Sequence, residues 1–247
     1  MFRFFQCFAM LLFANSTFAQ LQPGEYVTGG AWGVLRIGVA KGAKGGAQLF
    51  EINARGANFH SCTLDGAIRG NEARMEESAD DKRPCIVTFK PVKGGLDVQS
   101  KSEGTCRYYC GARANFEGEY VLAPAGCAPS RINDTRKRFK AAFDGNRYSD
   151  AHGSLAPVLA RCKAQLSDYA ESWVRNDLAL TQHRLNDNAA CRATLSPLME
   201  LASKPDKVIE GDYPPSDAEE YLSIAKATRY NMKLCGVPVI IKSETAK

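Results

Sequence analysis

The sequence predicts an α+β protein, in which a small antiparallel β-barrel or closed meander is followed by an α-helical bundle and disulfides staple the fold. Apolar residues alternate with period two from about residue 24 to residue 122, and turn residues separate these short runs. After residue 127 the apolar spacing becomes helical. Eight cysteines follow the first 19 residues, and an even number in an exported chain is typical of a disulfide framework.

Residues 1–19 have the features of a secretory signal peptide. Arg3 precedes an apolar run over residues 4–13, and Thr17 and Ala19 place small residues before a cleavage point. An apolar run of about ten residues is too short for a bilayer, which needs roughly 20. We therefore expect a periplasmic or secreted mature chain with no membrane span, and Cys7 is interpreted as part of the discarded peptide.

The charge of the mature chain is mild. Without Arg3 it contains 31 Lys and Arg residues against 27 Asp and Glu residues, and charges of both signs are interspersed. Nucleic-acid-binding proteins more often have a strongly basic face. We therefore expect no nucleic-acid partner.

The β region has a repeat at its two ends. The tetrapeptide Gly-Glu-Tyr-Val occurs at residues 24–27 and again at 118–121, and the whole region from 24 to 122 is predicted to hold about eight or nine strands. Closing such a sheet into a barrel protects its edge strands. The repeat therefore predicts that the first and last strands lie side by side, although a chance match of four residues remains an alternative.

The mature cysteines are expected to form disulfides rather than a metal site, because the chain has no Cys-x-x-Cys pair. Eight cysteines allow 105 pairings. Proximity along the chain suggests the pairs Cys62–Cys85, Cys106–Cys110 and Cys162–Cys191. The two cysteines that remain would then link the β region to the end of the helical region. The expected disulfide cysteines are Cys62, Cys85, Cys106, Cys110, Cys127, Cys162, Cys191 and Cys235. On these pairings, Cys127 would join Cys235.

The Pro-rich segment 123–130 continues neither period, so the predicted domains are a β-barrel over residues 20–127 and a helical domain over 128–247. Helical spacing predicts about five helices, over roughly 132–144, 151–166, 173–185, 188–202 and 216–235. Prolines recur at Pro157 and Pro197, 40 positions apart within similar apolar patterns. This spacing hints at a duplicated helical hairpin.

No combination of residues predicts catalysis. The three histidines lie in different predicted elements, the Gly-rich stretch 42–46 lacks the Gly-Lys-Ser/Thr ending of a phosphate loop, and Gly153-Ser154 lacks the second glycine of a nucleophile elbow. We expect a non-enzymatic protein with no cofactor and no metal.

Two basic segments are candidates for binding. Lys41 and Lys44 lie in a Gly-rich predicted hairpin tip that could enter an acidic cleft of a partner, or be a solvated loop. A second basic stretch opens the helical domain and is interpreted as a solvated face, with contact to an anionic surface as the alternative. Its members are Arg131, Arg136, Lys137, Arg138 and Lys140.

The β region resembles the β module of small exported bacterial proteins that include lysozyme-inhibitor-like members. The resemblance rests on the segments 24–26, 60–66, 85–89, 106–111 and 116–120, and covers about 100 residues. It implies a periplasmic, non-catalytic inhibitor or binding protein. Combined with the basic hairpin tip, this gives inhibition of lysozyme or another cell-wall hydrolase, with Lys41 and Lys44 as the expected partner-binding residues. The alternative is an envelope structural or assembly protein that binds its partner through the helical domain.

Overall fold

The computed structural model describes residues 20–39, 48–75, 84–101 and 104–242. The predicted signal peptide, residues 1–19, lies outside the described residues. Within them the chain forms a nearly closed antiparallel β-barrel followed by packed helices, and four disulfides are present. The predicted fold class is confirmed.

The barrel contains eight strands in the described residues. Their bounds are β1 Gly24–Thr28, β2 Gly33–Val39, β3 Gln48–Arg55, β4 Ser61–Ile68, β5 Glu72–Arg74, β6 Ile86–Val92, β7 Gly95–Ser100 and β8 Gly118–Leu122. All neighbours pair antiparallel in the order β4-β3-β2-β1-β8-β7-β6-β5. The two edge strands, β4 and β5, meet through an isolated bridge between Arg69 and Glu72. The gap between these edges is called the seam below.

The two copies of Gly-Glu-Tyr-Val lie next to each other, as predicted. They form most of β1 and β8, which pair with Val27 opposite Val121 and Thr28 opposite Tyr120. The period-two pattern also places the predicted apolar side chains inside, including the fully buried Phe89. In β2, Leu35 and Ile37 are buried in this way, whereas Val39 at the end of the strand is 53% exposed.

The seam is closed by a segment inserted between β7 and β8. This 3-10 helix, Thr105–Tyr109, carries Cys106, which bonds Cys85 before β6, and is followed by Cys110, which bonds Cys62 of β4. The predicted pairs Cys62–Cys85 and Cys106–Cys110 are therefore wrong. Cys106 lies inside the 3-10 helix, whereas Cys110 follows it with an extended backbone and forms an antiparallel bridge with Cys62. Each cysteine of the segment therefore reaches a different side of the seam.

The helical part begins seven residues after the last strand. Its bounds are α1 Pro129–Asp144, α2 Tyr148–Arg161, α3 Asp168–Arg184, α4 Asn188–Leu195, α5 Met199–Ser203, α6 Asp206–Asp212 and α7 Pro215–Leu234. Short 3-10 turns follow α2 and α4. The five predicted helical regions are present, with the fourth divided into α4 and α5 at Pro197. The short helix α6 was not predicted.

Two successive helical hairpins, α1–α2 and α3–α4, have the same turn. Asn146 and Asn186 both have left-handed backbone conformations, with φ of 57° and 63°. The N–H groups of Asn146 and Asn186 each donate to the carbonyl three residues earlier in the chain. The N–H groups of Arg147 and Asp187 each donate to the carbonyl five residues earlier. Asparagine tolerates this conformation better than most residues. The two turns lie 40 positions apart, which matches the predicted hairpin duplication.

The helical disulfides follow the hairpin geometry. An antiparallel hairpin places the start of α1 beside the end of α2, and Cys127 bonds Cys162 there. Cys191 in α4 bonds Cys235 after α7. The predicted pairs Cys162–Cys191 and Cys127–Cys235 are wrong, because α3 packs between α2 and α4 and Cys127 is buried in the helical core. Among the described cysteines, no disulfide joins the barrel to the helices.

Noncovalent contacts hold the helices on the barrel, where two barrel side chains cap helix N-termini. The N–H of Ser130 in α1 donates to Glu25 Oε2 of β1 at 2.8 Å, and the N–H of Ser216 in α7 donates to Asn58 Oδ1 at 3.0 Å. In return, the N–H of Asn58 donates to Asp217 Oδ2 at 2.7 Å. The first N–H groups of a helix have no partner within it. The barrel therefore supplies caps that α1 and α7 lack locally.

Candidate functional site

The sequence-predicted binding residues fall into three groups in the structure. Lys41 and Lys44 lie outside the described residues. All eight predicted disulfide cysteines are in disulfides. The basic stretch forms much of α1, and three of its five members line one groove. These three are Arg136, Lys137 and Lys140.

This groove, called the α1–α3 groove below, lies between the two helices that open the successive hairpins. Its volume is about 630 Å³. The basic side chains come from α1, the apolar floor from both helices, and one carboxylate from α3. The apolar side chains are Phe139, Phe143 and Leu180. Phe139 and Phe143 pack with ring centroids 5.8 Å apart, which makes the floor from a fixed aromatic pair.

The charged side chains of the groove are unequally partnered. Lys140 is tied to Asp144 at 2.7 Å, one helical turn away. Arg136 lies 3.9 Å from Asp177, and Lys137 lies 3.9 Å from Asp134, distances too long for hydrogen bonds. Within the described part of the chain, the Arg136 guanidinium makes no hydrogen bond. It therefore presents a planar set of N–H donors to any occupant of the groove.

Asp177 is the acidic group that α3 contributes to the groove, and Asp144 of α1 also lines it. Burial raises the pKa of its carboxyl group, and the nearby positive charges of Arg136 and Lys140 oppose that rise without cancelling it. The carboxylate accepts no hydrogen bond from any described residue. The surroundings of Asp177 therefore disfavour its ionised form.

A second cavity separates the barrel from the helices and is called the barrel–helix crevice below. Its volume is about 690 Å³. The barrel contributes the loop around Trp32 and the region around Arg55, while Asn133, Asp168, Tyr169 and Tyr221 come from the helices. Asn133 of α1 also lines the α1–α3 groove, so the two cavities meet along that helix.

Aromatic rings and the capping contacts fix one wall of the crevice. Phe59 stacks on Tyr169 with centroids 6.0 Å apart, and Tyr169 lies 4.9 Å from Tyr221. The Tyr169 hydroxyl donates to Asp217 Oδ1 at 3.0 Å. Burial and this bond to a carboxylate raise the pKa of Tyr169 well above its usual range, so its hydroxyl stays protonated.

Neither cavity brings together the groups of a familiar catalytic site. His60, His152 and His183 lie in separate elements, and none lines either cavity. His183 instead contacts Asn188 Oδ1 at 2.9 Å. In the described ranges there is no cluster of three or more His, Cys, Asp or Glu side chains suited to a metal ion. No helix in those ranges is long and apolar enough to span a membrane.

Sequence reasoning found only part of these sites. The basic residues of α1 stood out as a charge run, and Asp177 and Leu180 lie three positions apart on one stripe of α3. No sequence pattern linked that stripe to α1, because their proximity depends on the stacking of two hairpins. Trp32, Arg55 and Asp168 gave no signal, since they converge from distant segments.

Comparison with protein-family models gives no match. Comparisons with curated proteins and with solved structures also give no match. The resemblance of the β region to lysozyme-inhibitor-like modules therefore stays a prediction.

Proposed function

We propose that this chain is a non-catalytic binding protein of the periplasm or the extracellular space, and that it binds a partner protein through the α1–α3 groove. The observation that carries the proposal is Arg136, which makes no hydrogen bond within the described residues and lies beside an aromatic floor between α1 and α3. The proposal therefore places the binding surface on the helical part of the chain.

The compartment follows from the cysteines. Four disulfides persist only where the environment is oxidising, which excludes the reducing cytosol of most organisms. The predicted signal peptide over residues 1–19 supports export and favours the periplasm or secretion.

The charge of α1 defines the kind of partner. This helix carries five basic residues and two acidic ones, Asp134 and Asp144. Arginine binds carboxylates through two parallel N–H donors, and the Phe139–Phe143 pair accepts an apolar side chain. The preferred partner is therefore a protein segment with a carboxylate next to an apolar residue.

A defined peptide tests this preference. We expect a fluorescent Glu-Leu-Glu-Phe-Glu peptide to bind and a Lys-Leu-Lys-Phe-Lys peptide not to bind, as measured by fluorescence anisotropy. Losing one charge-assisted hydrogen bond of about 1.5–3 kcal/mol in Arg136→Gln weakens binding by roughly 10-fold or more. Equal binding of both peptides would contradict the proposal.

Capture from the native compartment identifies the partner. The wild-type chain is compared with the double variant Arg136→Gln, Lys137→Gln, and with the control Lys226→Gln, Lys233→Gln on α7. Both control lysines are exposed and make no ion pair within the described residues. We expect a protein that the wild type and control retain and the groove variant loses. Identical capture by all three forms would remove the groove from the function.

Inhibition of a cell-wall hydrolase is the narrower prediction from the β-region resemblance, and it concerns a different surface. It assigns binding to Lys41 and Lys44, outside the described residues. Lysozyme activity with excess protein tests it, since inhibition that is lost in Lys41→Ala, Lys44→Ala would support that loop. Full lysozyme activity in the presence of the wild-type chain would rule the inhibition out.

A further inference from the structure

The barrel–helix crevice has a lining unlike that of the α1–α3 groove. Trp32, in the loop before β2, is 37% exposed, and its ring lies against Gly118 and makes an edge contact with Tyr120 at 6.3 Å. Across the crevice, Tyr169 and Tyr221 are half-buried. Aromatic rings from both the barrel and the helices therefore border one space.

Three polar groups around this space have no hydrogen-bond partner among the described residues. They are the indole N–H of Trp32, the carboxamide of Asn133 and the carboxylate of Asp168. The indole only donates, the carboxylate only accepts, and the carboxamide does both. A ligand that satisfies all three must carry several groups that donate and accept at close spacing.

The charged groups of the crevice are few or already engaged. Asp217 accepts from the Asn58 N–H and from the Tyr169 hydroxyl, and the Arg55 guanidinium lies 4.4 Å over the Phe59 ring. Among the described residues, Asp168 is the acidic group of the crevice left without a hydrogen-bond or ion-pair partner. A phosphorylated or multiply charged ligand would therefore meet a carboxylate and only one cation, which is engaged with an aromatic ring.

We propose that the barrel–helix crevice binds a short uncharged saccharide. Sugar rings have apolar C–H faces that pack on aromatic side chains, and each hydroxyl both donates and accepts hydrogen bonds. The crevice offers aromatic faces and unpaired planar polar groups together, and its volume of about 690 Å³ lies within the roughly 300–1,000 Å³ of small-molecule sites. This site is separate from the proposed protein-binding groove, although Asn133 borders both.

Tryptophan fluorescence provides a direct test, because the chain contains only Trp32 and Trp173. In a Trp173→Phe background, Trp32 is the single reporter. We expect titration with the trisaccharides chitotriose and maltotriose to change Trp32 emission in a saturable way for at least one sugar. Glycerol serves as the control for nonspecific effects of polyols.

Two variants in the same background test the polar contacts. Asn133→Ala removes a carboxamide, and Asp168→Asn replaces a charged acceptor with a neutral amide, both at exposed helix positions. Each loss of about 1–1.5 kcal/mol corresponds to roughly 5–10-fold weaker binding. Arg136→Gln should leave saccharide binding unchanged, which separates this site from the α1–α3 groove. Circular dichroism confirms that the variants are folded.

Three results would overturn the proposal. The first is the absence of any saturable change up to millimolar concentrations of both trisaccharides in the folded Trp173→Phe protein. The second is binding that Asn133→Ala and Asp168→Asn leave intact. The third is a Trp32 response produced by the acidic peptide alone. The last result would assign the crevice to the protein partner instead.

Discussion

At the scale of single residues, the surroundings shift the pKa values of two carboxyl groups in opposite directions. Burial of Glu25 would raise its pKa, but the hydrogen bond from the Ser130 N–H and the contact with Arg36 more than offset that effect, so its pKa is lowered. Asp177 has a raised pKa, because its burial outweighs the nearby positive charges. The ionised form of Glu25 therefore stabilises the fold, whereas the ionised form of Asp177 destabilises it.

Replacing Glu25 by Gln should destabilise the protein at neutral pH. The charged cap of α1 is lost, which costs about 1–2 kcal/mol of the free energy of unfolding. Because the folded pKa is lowered, the Glu25 contribution is present above the unfolded pKa and is lost as pH falls through the folded pKa. The difference between wild type and variant in urea unfolding should therefore shrink in acid.

The repeated tetrapeptide supplies the matched control for this variant. Glu119 occupies the equivalent position in β8 but is exposed and has no hydrogen-bond or ion-pair partner among the described residues. Glu119→Gln should change stability by less than about 0.5 kcal/mol. Equal losses in both variants would show that the α1 cap contributes nothing specific.

Asp177→Asn should act in the opposite direction. Because the folded pKa of Asp177 is raised, its ionised form costs stability as pH rises through that value. We expect the variant to have the higher Tm at pH 7 and a Tm close to that of wild type near pH 3. The acidic peptide should also bind more tightly, since one negative charge leaves the groove. A lower Tm at pH 7 would contradict this account.

At the scale of elements, the segment 105–111, which begins with the 3-10 helix Thr105–Tyr109, is the part that closes the barrel. Its two disulfides reach β4 and the start of β6 on either side of the seam. Its backbone continues this contact, because the N–H of Gly111 donates to the Ser61 carbonyl at 2.8 Å. The segment therefore replaces the direct pairing that β4 and β5 largely lack.

Removing the Cys62–Cys110 disulfide should open this seam. With both cysteines changed to Ala, the chain-entropy model gives a loss of about 3–4 kcal/mol in the free energy of unfolding. Hydrogen exchange should increase in β4 and in the segment after β7, and remain unchanged in α3. The Cys191→Ala, Cys235→Ala variant is the control, and its exchange should increase near α4 and α7 instead. The same exchange pattern in both variants would contradict local stapling.

The sequence revealed elements better than it revealed their contacts. Period-two and helical spacing predict strands and helices because each records which face of one element is buried. Disulfide pairing depends on which elements lie side by side in the fold. In this protein, the segment after β7 sets the barrel pairs, and the stacking of two helical hairpins sets the other pairs. The helix α6 has only seven residues, too few for a clear period. The crevice, formed from distant segments, had no local pattern to predict it.

At the scale of the whole molecule, two separately stapled parts are joined by noncovalent contacts. Each part has its own apolar core and two disulfides of its own. The contacts between them include the two helix caps and the stacking of Phe59 on Tyr169. Weakening the caps should therefore uncouple the parts without unfolding either one.

The double variant Glu25→Gln, Asn58→Gly weakens both caps, because glutamine lacks the charge of Glu25 and glycine lacks the side-chain acceptor of Asn58. Glycine accepts the left-handed backbone of Asn58, which has φ of 56°, so the change removes the cap without adding strain. Trp32 reports on the barrel and Trp173 on the helices, and each can be followed alone when the other is replaced by Phe.

We expect the two fluorescence melting curves to coincide in the wild type and to separate in the double variant, since coupled parts unfold together. Saccharide binding should weaken in parallel, because the crevice walls belong to different parts. Coincident curves in the double variant would mean that the aromatic contacts alone couple the barrel to the helices.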